Sequence, residues 1–449
     1  MNSKSEEIKI LIIGSTPFSD SSQARSLATY LNGWKNKQFL VRQIYTRPLL
    51  PSFEYCEEFF QITDKMIIKN VFSKEHIGVV YSTADNIKIN NNTVNQVDIT
   101  TGPFFKFFSK KKNYFIRLMR GLLWKKRTWM NNKLLNWVND FSPDIIFMNF
   151  GDDFYLFDMA ETISQIFSIP IVTVISDDYY FSSIKSRSFF ARQYSKKYLQ
   201  TLKHFFESFN VGVAFNSQRI MNRYVELFGL KTYKLVPIAY SDLFHKISLE
   251  KNCDRVEEHF MSFFGNFEFG RYKALISLAD SLGKINKKIT VCGTCKNKKV
   301  VESFIKHKSI DYRGLLDYKH VASLASESQY LVIAESFDKS DSENVKYALS
   351  TKVADCLASG IPIVAIGSID SGAINYLYEN KCALICSDES ELIPFIENLG
   401  HDLNYEKECS LKALELSTKM HDIIKNGEEF LSLCKDLVQK NKMSENENN

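Results

Sequence analysis

The chain has 449 residues, of which 45% are hydrophobic and 24% are charged, and these values exclude a largely disordered protein. At about 100–200 residues per domain, this length predicts two domains or three. The net charge of +5 is too small to indicate nucleic-acid binding by itself. The chain starts without a signal-peptide pattern, contains no apolar run of about 18 residues and carries nine scattered cysteines. We therefore expect a cytoplasmic protein with reduced thiols.

Strand-like and helix-like segments alternate in the first half of the chain. The apolar run Ile8–Ile13 ends at Gly14-Ser15-Thr16-Pro17, and residues 22–34 then have helical spacing. Further strand patterns occupy residues 39–45, 144–150, 170–175 and 211–215, and further helical patterns occupy residues 156–167, 189–206 and 217–228. This alternation predicts a parallel sheet with right-handed crossovers.

The same alternation starts again after a polar segment. Residues 241–258 follow a composition change near Pro237 and show no clear period, so we expect them to be a linker. Later strand patterns occupy residues 260–264, 288–292, 310–312, 330–334, 361–366 and 382–385, with helical patterns between them. We predict an α/β protein with two doubly wound, Rossmann-like domains facing a central cleft. The domains are residues 1–240 and 259–420, and residues 421–449 form a C-terminal helix that crosses back and a disordered tail.

The segment from residue 330 to residue 366 carries the strongest functional signal. A predicted strand ends at an acidic residue, and hydroxyl, lysine and acidic side chains follow at the start of a predicted helix. These residues are Glu335, Ser350, Thr351, Lys352 and Asp355. A helix N-terminus attracts phosphate, a lysine adds a full positive charge, and a carboxylate accepts hydrogen bonds from sugar hydroxyls. A hydroxyl N-cap beside a solvated lysine is the alternative interpretation.

This segment, which ends in STKVADCLASGIPIVAIG, resembles the donor site of GT-B glycosyltransferases. The resemblance is to the retaining, family 4-like enzymes that use nucleotide sugars in bacterial surface polysaccharide synthesis. The stretches FFGNFEFGRYKALISLADSL and IDYRGLLDYKHVASLASESQYLVIAES resemble two further parts of the same donor domain. The resemblance covers residues 260–385 well and the first half of the chain only as a general pattern.

The resemblance implies a role for each candidate residue. Arg271 and Lys352 would contact the donor diphosphate, and the backbone near Gly314 and Leu315 would bracket the nucleobase. By the same resemblance, Asp355 would bind the ribose and Glu335 would bind the donor sugar. The Ser350 and Thr351 hydroxyls would supply hydrogen bonds, and the loop with Gly14 and Ser15 would approach the donor phosphates or the acceptor. The donor would be a UDP-linked sugar, which is a substrate, so no cofactor is expected. The absence of an Asp-x-Asp motif disfavours a metal-dependent enzyme of the GT-A class, so no metal is expected.

The sequence departs from the family pattern in its acidic and histidine residues. Glu335 and Glu343 have the family's spacing, but alignment on Gly360-Ile361-Pro362 puts Asp355 in the second acidic place. We therefore interpret Glu343 as loop charge. Relatives often carry a histidine in the N-terminal cleft, whereas neither His76 nor His204 follows a predicted strand.

Two acidic pairs follow predicted strands in the N-terminal domain. The pairs are Asp152-Asp153 and Asp177-Asp178, and the second matches an Asp-Asp-aromatic triplet of the relatives through Tyr179. We select Asp177, Asp178 and, from the donor segment, Glu335 as the catalytic candidates. A carboxylate at the first two positions can accept the acceptor proton. Helix capping and loop solvation are the alternative for any single Asp. A donor phosphate can also guide that proton in the resembling enzymes.

A basic and aromatic segment occupies residues 101–139. It contains ten Lys or Arg and no Asp or Glu, so the rest of the chain has a net charge of −5. Interleaved Phe, Tyr, Leu and Trp side chains are typical of a segment that binds an anionic membrane surface, and we predict this contact for residues 104–133. A core helix with solvated charges and a nucleic-acid site are the alternatives.

The sequence leaves other classes of function open. A nucleotide-sugar 2-epimerase shares the architecture, although sparse histidines and the basic segment speak against it. A cytosolic regulator or an inactive pseudo-transferase that binds nucleotide or sugar is the non-enzymatic alternative. Cys292 and Cys295, with Cys382 and Cys386, would suit zinc, but three of the four belong to strand patterns and fit buried thiols better. The favoured interpretation is a glycosyltransferase with a saccharide or lipid-linked saccharide acceptor.

Overall fold

The computed structural model describes residues 7–18, 29–31, 39–51, 56–73, 77–83, 114–180, 188–250, 258–343 and 345–448. Most of the predicted helix at residues 22–34 and the first part of the basic segment, residues 101–113, lie outside the described residues.

The N-terminal half forms a sheet of eight strands. They are β1 (Ile8–Gly14), β2 (Phe39–Tyr45), β3 (Glu58–Gln61), β4 (Val79–Ser82), β5 (Ile145–Met148), β6 (Ile171–Ile175), β7 (Val211–Phe215) and β8 (Tyr233–Leu235). The spatial order is β4-β3-β2-β1-β5-β6-β7-β8, and only β4 is antiparallel to its neighbour among these described pairs. β3, β4 and β8 are too short for the sequence pattern to identify.

The last helix of the chain packs on one face of this sheet, and seven described helices of the N-terminal half contribute to the core on the other face. The seven are α1 (Asp64–Ser73), α2 (Tyr114–Leu123), α3 (Lys126–Trp129), α4 (Asn132–Phe141), α5 (Phe154–Phe167), α6 (Phe189–Ser208) and α7 (Gln218–Phe228). Their core is rich in aromatic residues and contains Trp124, Trp129 and Tyr198.

The C-terminal half forms a parallel sheet of six strands. They are β9 (His259–Phe264), β10 (Ile289–Cys292), β11 (Ile310–Gly314), β12 (Ser328–Ala334), β13 (Ile363–Ile366) and β14 (Leu384–Cys386). The order β11-β10-β9-β12-β13-β14 is that of a Rossmann sheet. The helices of this half are α8 (Asp242–Glu250), α9 (Arg271–Lys284), α10 (Lys298–Lys306), α11 (Tyr318–Ser326), α12 (Lys339–Ser342), α13 (Thr351–Ser359), α14 (Gly372–Glu379) and α15 (Leu392–Glu397).

The segment predicted to be a linker contains a helix instead. α8 packs against α13, and its Phe244 and Ile247 are buried in the core of the C-terminal domain. Leu243 also packs against this core, and the helix has only nine residues, so its sequence shows little periodicity. Part of the segment 241–258 that was interpreted as a linker is therefore a packed helix, Asp242–Glu250.

Two C-terminal helices complete the chain. α16 (Leu403–Met420) packs against α13, and α17 (Ile423–Asn448) packs against β7 and β8 of the first sheet. Phe430, Leu433 and Leu437 of α17 are buried in the N-terminal core. α17 continues to Asn448, whereas composition predicted a disordered tail from residue 444. Extending a helix that is already formed needs no new nucleus.

The two passages of the chain between the domains are bonded to each other. The Tyr240 amide donates to the His421 carbonyl at 3.0 Å, and the Asn426 side chain donates to the Pro237 carbonyl at 2.7 Å. The Tyr240 hydroxyl donates to Asp422 at 3.1 Å. These hydrogen bonds join the two segments that pass between the domains, and we call the joined segments the crossing between the domains.

Over the described ranges, the helices are all too short or too polar to cross a lipid bilayer.

Candidate active site

Each sheet has a point where the strand order reverses, and ligands of open α/β sheets bind beyond the carboxyl ends of the strands there. In the first sheet this point lies between β1 and β5, and in the second between β9 and β12. Gly14 and Asn149 stand at the first point, and Gly265 and Glu335 stand at the second. The predicted donor residues therefore gather at the edge of the sheet where the topology opens a crevice.

The loops after β9, β10 and β11 approach one another through glycines. The Gly265 amide donates to the Cys292 carbonyl at 2.8 Å, and the Gly293 amide donates to the Gly314 carbonyl at 2.6 Å. A Cβ on residue 293 would lie 1.9 Å from the Gly265 carbonyl oxygen. Gly265 and Gly293 were not identified as site residues from the sequence, although a glycine directly after each of two predicted strands was the available signal.

Arg271 and Glu335 form a buried ion pair. Nε and Nη2 of Arg271 donate to the two carboxylate oxygens of Glu335, both at 2.9 Å, and Nη1 donates to the Asn266 side chain at 2.9 Å. The side chains are 9% and 2% exposed. The structure thus brings two predicted site residues together, but as partners that neutralise each other's charge.

Lys352 lies beside this pair with its charge uncompensated. Its ammonium nitrogen is buried and, within the described part of the chain, has no hydrogen-bond partner. The nitrogen lies 4.1 Å from the centre of the Phe263 ring, and the end of the side chain lies against Gly265. Burial, followed by the nearby Arg271 charge, lowers the pKa of Lys352 to about 7, although Glu335 acts in the opposite direction. The site as it stands favours the arrival of an anion.

The start of α13 adds positive potential next to Lys352. Ser350 is the N-cap residue, and its hydroxyl makes no capping hydrogen bond to the described backbone. Thr351 is the exposed first residue of the helix. The first N–H groups of a helix lack partners inside the helix, so hydroxyls and amides here are available to a phosphate.

Asp355 was predicted to bind the ribose, but its carboxylate is buried and bonded within the protein. It is 4% exposed, its Oδ1 accepts from the Ser241 amide at 3.0 Å, and its Oδ2 accepts from the Tyr318 hydroxyl at 2.5 Å. These bonds tie α13 to the crossing between the domains and to α11. Both partners are distant in sequence, which explains why the motif did not reveal them.

Gly314 and Leu315 form an open corner after β11. Gly314 has φ +70°, and no described atom lies within 4 Å of where a Cβ would be. The Leu315 side chain is 80% exposed. The Tyr312 hydroxyl donates to the Gly293 carbonyl at 2.8 Å and so holds this corner against the glycine loops.

Gly14 and Ser15 begin a tightly held turn in the N-terminal domain. The buried Gln43 side chain donates to the Thr16 carbonyl at 2.9 Å and accepts from the Phe18 amide at 2.8 Å. The Ser15 carbonyl accepts from the Arg47 amide at 2.9 Å. Gln43 was not identified from the sequence, because a glutamine inside a strand gives no signal of its own.

Asp152 and Asp153 are held by arginines of α2. Arg117 pairs with Asp152, and Arg120 pairs with Asp153 at 3.3 Å and with Asp64 at 3.0 Å. These two arginines belong to the basic segment that was predicted to face a membrane. They point inward instead, because the strand-end carboxylates lie beneath the helix.

Asp177 and Asp178 lie among buried tyrosines after β6. Asp177 is exposed, and its carboxylate accepts from the Tyr179 hydroxyl at 3.5 Å. Burial raises the pKa of Tyr198 and Tyr224, and the Asp178 charge raises both further. Asp177 and Asp178 follow β6, and Asp152 and Asp153 follow the neighbouring strand β5, so all four lie at the same edge of the sheet. The catalytic role of Asp177 and Asp178 stays a prediction.

The rest of the basic segment divides into core and surface. Trp124 and Trp129 are fully buried, and their indole nitrogens donate to Asp64 and Asp158. Lys133 donates to the Gly78 carbonyl at 3.0 Å. For Trp124 and Trp129 the alternative of a core segment is correct, so the prediction of membrane contact throughout 104–133 is too broad.

The segment before α13 also touches the N-terminal domain. The Asn216 side chain donates to the Leu349 carbonyl at 3.2 Å and accepts from the Ile238 amide at 2.8 Å. Tyr347 packs against the N-terminal core. Glu343, interpreted from the sequence as loop charge, pairs with Lys346 at 3.3 Å.

The comparisons with known proteins identify the fold. No protein-family model and no curated protein matches the sequence. The structure, however, superposes on sucrose-phosphate synthase from Thermosynechococcus elongatus over 97% of this chain and 100% of that chain, with a TM-score of 0.62 and 10% identity. HepE from Anabaena, solved in complex with UDP, matches 96% of this chain and 100% of its own, with a TM-score of 0.60 and 12% identity. This chain has the GT-B fold.

A third structure agrees. The UDP-forming α,α-trehalose-phosphate synthase from Burkholderia xenovorans matches 95% of this chain and 99% of its own, with a TM-score of 0.57 and 8% identity. Because the identities are this low, the matches show the architecture alone: two α/β domains, each with a parallel core sheet, joined at one crossing.

Proposed function

We propose that the protein is a glycosyltransferase that moves a sugar from a nucleotide sugar, expected to be UDP-linked, to a saccharide or lipid-linked saccharide. The observation that carries the proposal is the buried ammonium of Lys352, which lacks a hydrogen-bond partner among the described residues at the start of α13. A buried charge of this kind is costly unless an opposite charge joins it.

The charges at the site match a nucleoside diphosphate. When Lys352 is protonated, Arg271, Glu335 and Lys352 together carry one net positive charge, and the N-terminus of α13 adds partial positive charge. A diphosphate would neutralise this charge and supply acceptors to Lys352, Ser350 and the first amides of the helix. HepE has been solved in complex with UDP-glucose, and its match over the whole chain supports the choice of a UDP-linked donor.

The proposed roles follow from where each side chain lies. Lys352 binds the diphosphate directly, and Arg271 does so with its guanidinium held in place by Glu335. Gly314 and Leu315 offer an exposed backbone and an apolar surface to the nucleobase. A carboxylate oxygen bonded to Arg271 keeps a lone pair, so Glu335 can still accept from a sugar hydroxyl.

Asp355 receives a positioning role in this proposal. Because its oxygens already accept from Ser241 and Tyr318, it fixes α13 relative to the crossing between the domains. On the acceptor side, the edge with Asp177 and Asp178 is the proposed site for the accepting hydroxyl. Retention of the anomeric configuration, independence from metal ions, a place in surface polysaccharide synthesis and contact with the cytoplasmic face of the membrane are further parts of the proposal, and they rest on the family resemblance and the basic segment.

The first test is thermal unfolding of the protein with UDP, GDP, ADP and CMP. We expect one nucleotide, UDP, to raise the melting temperature by several degrees, because about 100 times Kd of ligand contributes roughly 2.7 kcal/mol. Lys352→Met should lose this rise. Lys284→Met, which removes an exposed lysine of the same domain, should keep it.

No rise with any of the nucleotides would contradict the proposed donor site. If a rise is seen, turnover decides the class. Release of UDP from a UDP-sugar that requires added saccharide or lipid-linked saccharide supports a transferase. Conversion of the UDP-sugar to its epimer without an acceptor would indicate a 2-epimerase, and binding without turnover would indicate a pseudo-transferase.

A further inference from the structure

The outer face of α2 carries an apolar stripe. Phe115, Met119 and Leu122 are 43%, 49% and 51% exposed, and their spacing of four and three residues puts them on one side of the helix. The arginines on the other side, Arg117 and Arg120, bind the strand-end carboxylates below. The orientation of the helix is therefore fixed with its apolar residues toward solvent.

A second helix extends this stripe into a patch. The first turn of α6 exposes Phe189 (62%) and Phe190 (44%), and α6 packs against α2. The Phe115 and Phe190 ring centres are 5.1 Å apart. Because two helices distant in sequence contribute, the patch was not visible in the basic segment alone. We call it the α2–α6 patch.

Basic side chains lie close in sequence to both parts of the α2–α6 patch. Lys125, Lys126 and Arg127 are exposed directly after α2, and Arg192 and Lys196 are exposed on α6. Lys197 of α6 lies near Lys125, because the Lys125 charge adds to burial in lowering the pKa of Lys197.

Acidic side chains are absent from both stretches of sequence. Residues 101–139 and 179–206 contain no Asp or Glu, although the chain as a whole has 52. The ionised side chains are therefore of one sign over α2 and over α6 up to Phe206, and the acidic Glu207 lies at the far end of α6 from Phe189 and Phe190.

We propose that the α2–α6 patch binds the surface of an anionic lipid bilayer. Exposed Phe, Met and Leu side chains enter the interface between headgroups and acyl chains, while Lys and Arg lie at the headgroups. Each basic residue near an anionic surface adds favourable free energy, and several act together. The role of this contact rests on the proposed function: it brings a lipid-linked acceptor to the carboxylate edge that α2 covers. The binding itself does not depend on that function.

The test is sedimentation of the full chain with vesicles of phosphatidylcholine, with and without phosphatidylglycerol. We expect binding to the anionic vesicles to be at least about tenfold tighter, and to weaken as salt is added. Met119→Asp/Leu122→Asp should reduce binding by at least about tenfold, because two charges would enter the apolar layer. The matched control is Leu403→Asp/Leu411→Asp, which changes two exposed leucines of α16.

Charge is tested separately. Lys125→Glu/Lys126→Glu/Arg127→Glu should abolish the preference for anionic vesicles, whereas Lys298→Glu/Lys299→Glu/Lys306→Glu, an equal change on exposed α10, should preserve it. Equal binding by each variant and its control would overturn the proposal. Two other results would also overturn it. One is a wild-type dimer that does not bind vesicles and that Met119→Asp/Leu122→Asp converts to a monomer. The other is a wild-type complex with an oligonucleotide, again without vesicle binding, that only Lys125→Glu/Lys126→Glu/Arg127→Glu loses.

The nucleotide test distinguishes a failure of this proposal from a failure of the proposed function. A protein that does not bind vesicles but keeps an intact UDP response would contradict only the membrane-binding surface. Vesicle binding by a protein without any nucleotide response would support the patch and contradict the donor site.

Discussion

Lys352 shows how one buried side chain links stability to binding. Its pKa is lowered to about 7 mainly because burial disfavours the charged form. In the unfolded chain a lysine titrates near 10.4, so between these two values the unfolded state binds more protons than the folded state. The stability of the unliganded protein therefore rises with pH over this window.

This gives a prediction at the scale of the residue. Lys352→Met should melt at a higher temperature than the wild type near pH 7 in the absence of nucleotide, because an uncharged side chain of similar length avoids the cost of burying the ammonium. The difference should shrink as the pH approaches about 10. Melting curves across this pH range, with Lys284→Met as control, measure it.

A lower melting temperature of Lys352→Met at neutral pH would show that Lys352 is already compensated within the protein. The same variant is expected to lose the nucleotide response, so stability and binding should change in opposite directions. A variant that gains stability but loses binding is typical of a binding site whose charge is neutralised only by the ligand.

His421 is another buried group with a large pKa shift. Its Nδ1 donates to the Ile238 carbonyl at 2.8 Å, and its Nε2 accepts from the Tyr376 hydroxyl at 3.0 Å. Burial lowers its pKa to about 4, so the folded protein keeps it neutral. An unfolded histidine titrates near 6.5, and the unfolded state therefore binds more protons between these values.

We predict that acid weakens the crossing between the domains through this residue. The stability contributed by neutral His421 should be present above about pH 6.5 and lost as the pH falls toward 4. His421→Gln, which keeps a donor and an acceptor without a charge, should lessen the loss. Urea unfolding at several pH values measures this, and an equal acid sensitivity of His421→Gln and wild type would contradict it.

At the scale of the element, the glycine loops determine how closely the strand ends approach. Gly293 has φ +146° and its Cα faces the Gly265 carbonyl, so only glycine fits without moving the backbone. This close approach places the loops after β9, β10 and β11 around Arg271 and Lys352. The loops after these strands, and not the strands themselves, therefore form the candidate donor site.

Gly293→Ala should therefore reduce both stability and the UDP response, because the added Cβ would displace the Gly265 loop. The control is Gly229→Ala, where φ is +60° and no described atom lies within 4 Å of the new Cβ. The control should cost only about 1–2 kcal/mol, the penalty of the left-handed conformation. Equal melting temperatures and nucleotide responses of the two variants would show that the loop can rearrange.

α2 shows the same dependence on packing. From sequence its arginines and its apolar residues form one basic, aromatic segment, whereas in the structure they lie on opposite sides of the helix. Arg117 and Arg120 bind carboxylates, and Met119 and Leu122 face solvent. Helical periodicity separates the sides, but only the carboxylates below decide which side faces inward.

At the scale of the whole molecule, α17 joins the last residues of the chain to the first domain. Leu437 is fully buried, and Gly212 of β7 leaves the space that it fills. The C-terminal residues are therefore part of the N-terminal core.

We predict that Leu437→Ala destabilises the protein by about 2–5 kcal/mol, the usual cost of a large cavity in a core. Ile424→Ala, at a position of α17 that is 62% exposed, should change stability by less than about 1 kcal/mol. Denaturant unfolding measures both. Equal effects would show that α17 does not contribute to the N-terminal core in solution.

The sequence by itself determined the architecture and the neighbourhood of the donor site. Alternating periods of two and 3.6 residues predict two parallel sheets, and parallel strands put their carboxyl ends at one edge. Arg271, Glu335 and Lys352 follow strands or begin helices at that edge, so their proximity was predictable from order along the chain.

The tertiary structure alone decided what each side chain binds. Arg271 binds Glu335, Asp355 binds Ser241 and Tyr318, and Lys352 is left with an uncompensated charge. Periodicity depends on neighbours within a few residues, whereas these partners are far apart in the chain and meet only in the folded protein. The α2–α6 patch has the same origin, because its two helices meet only in the folded protein.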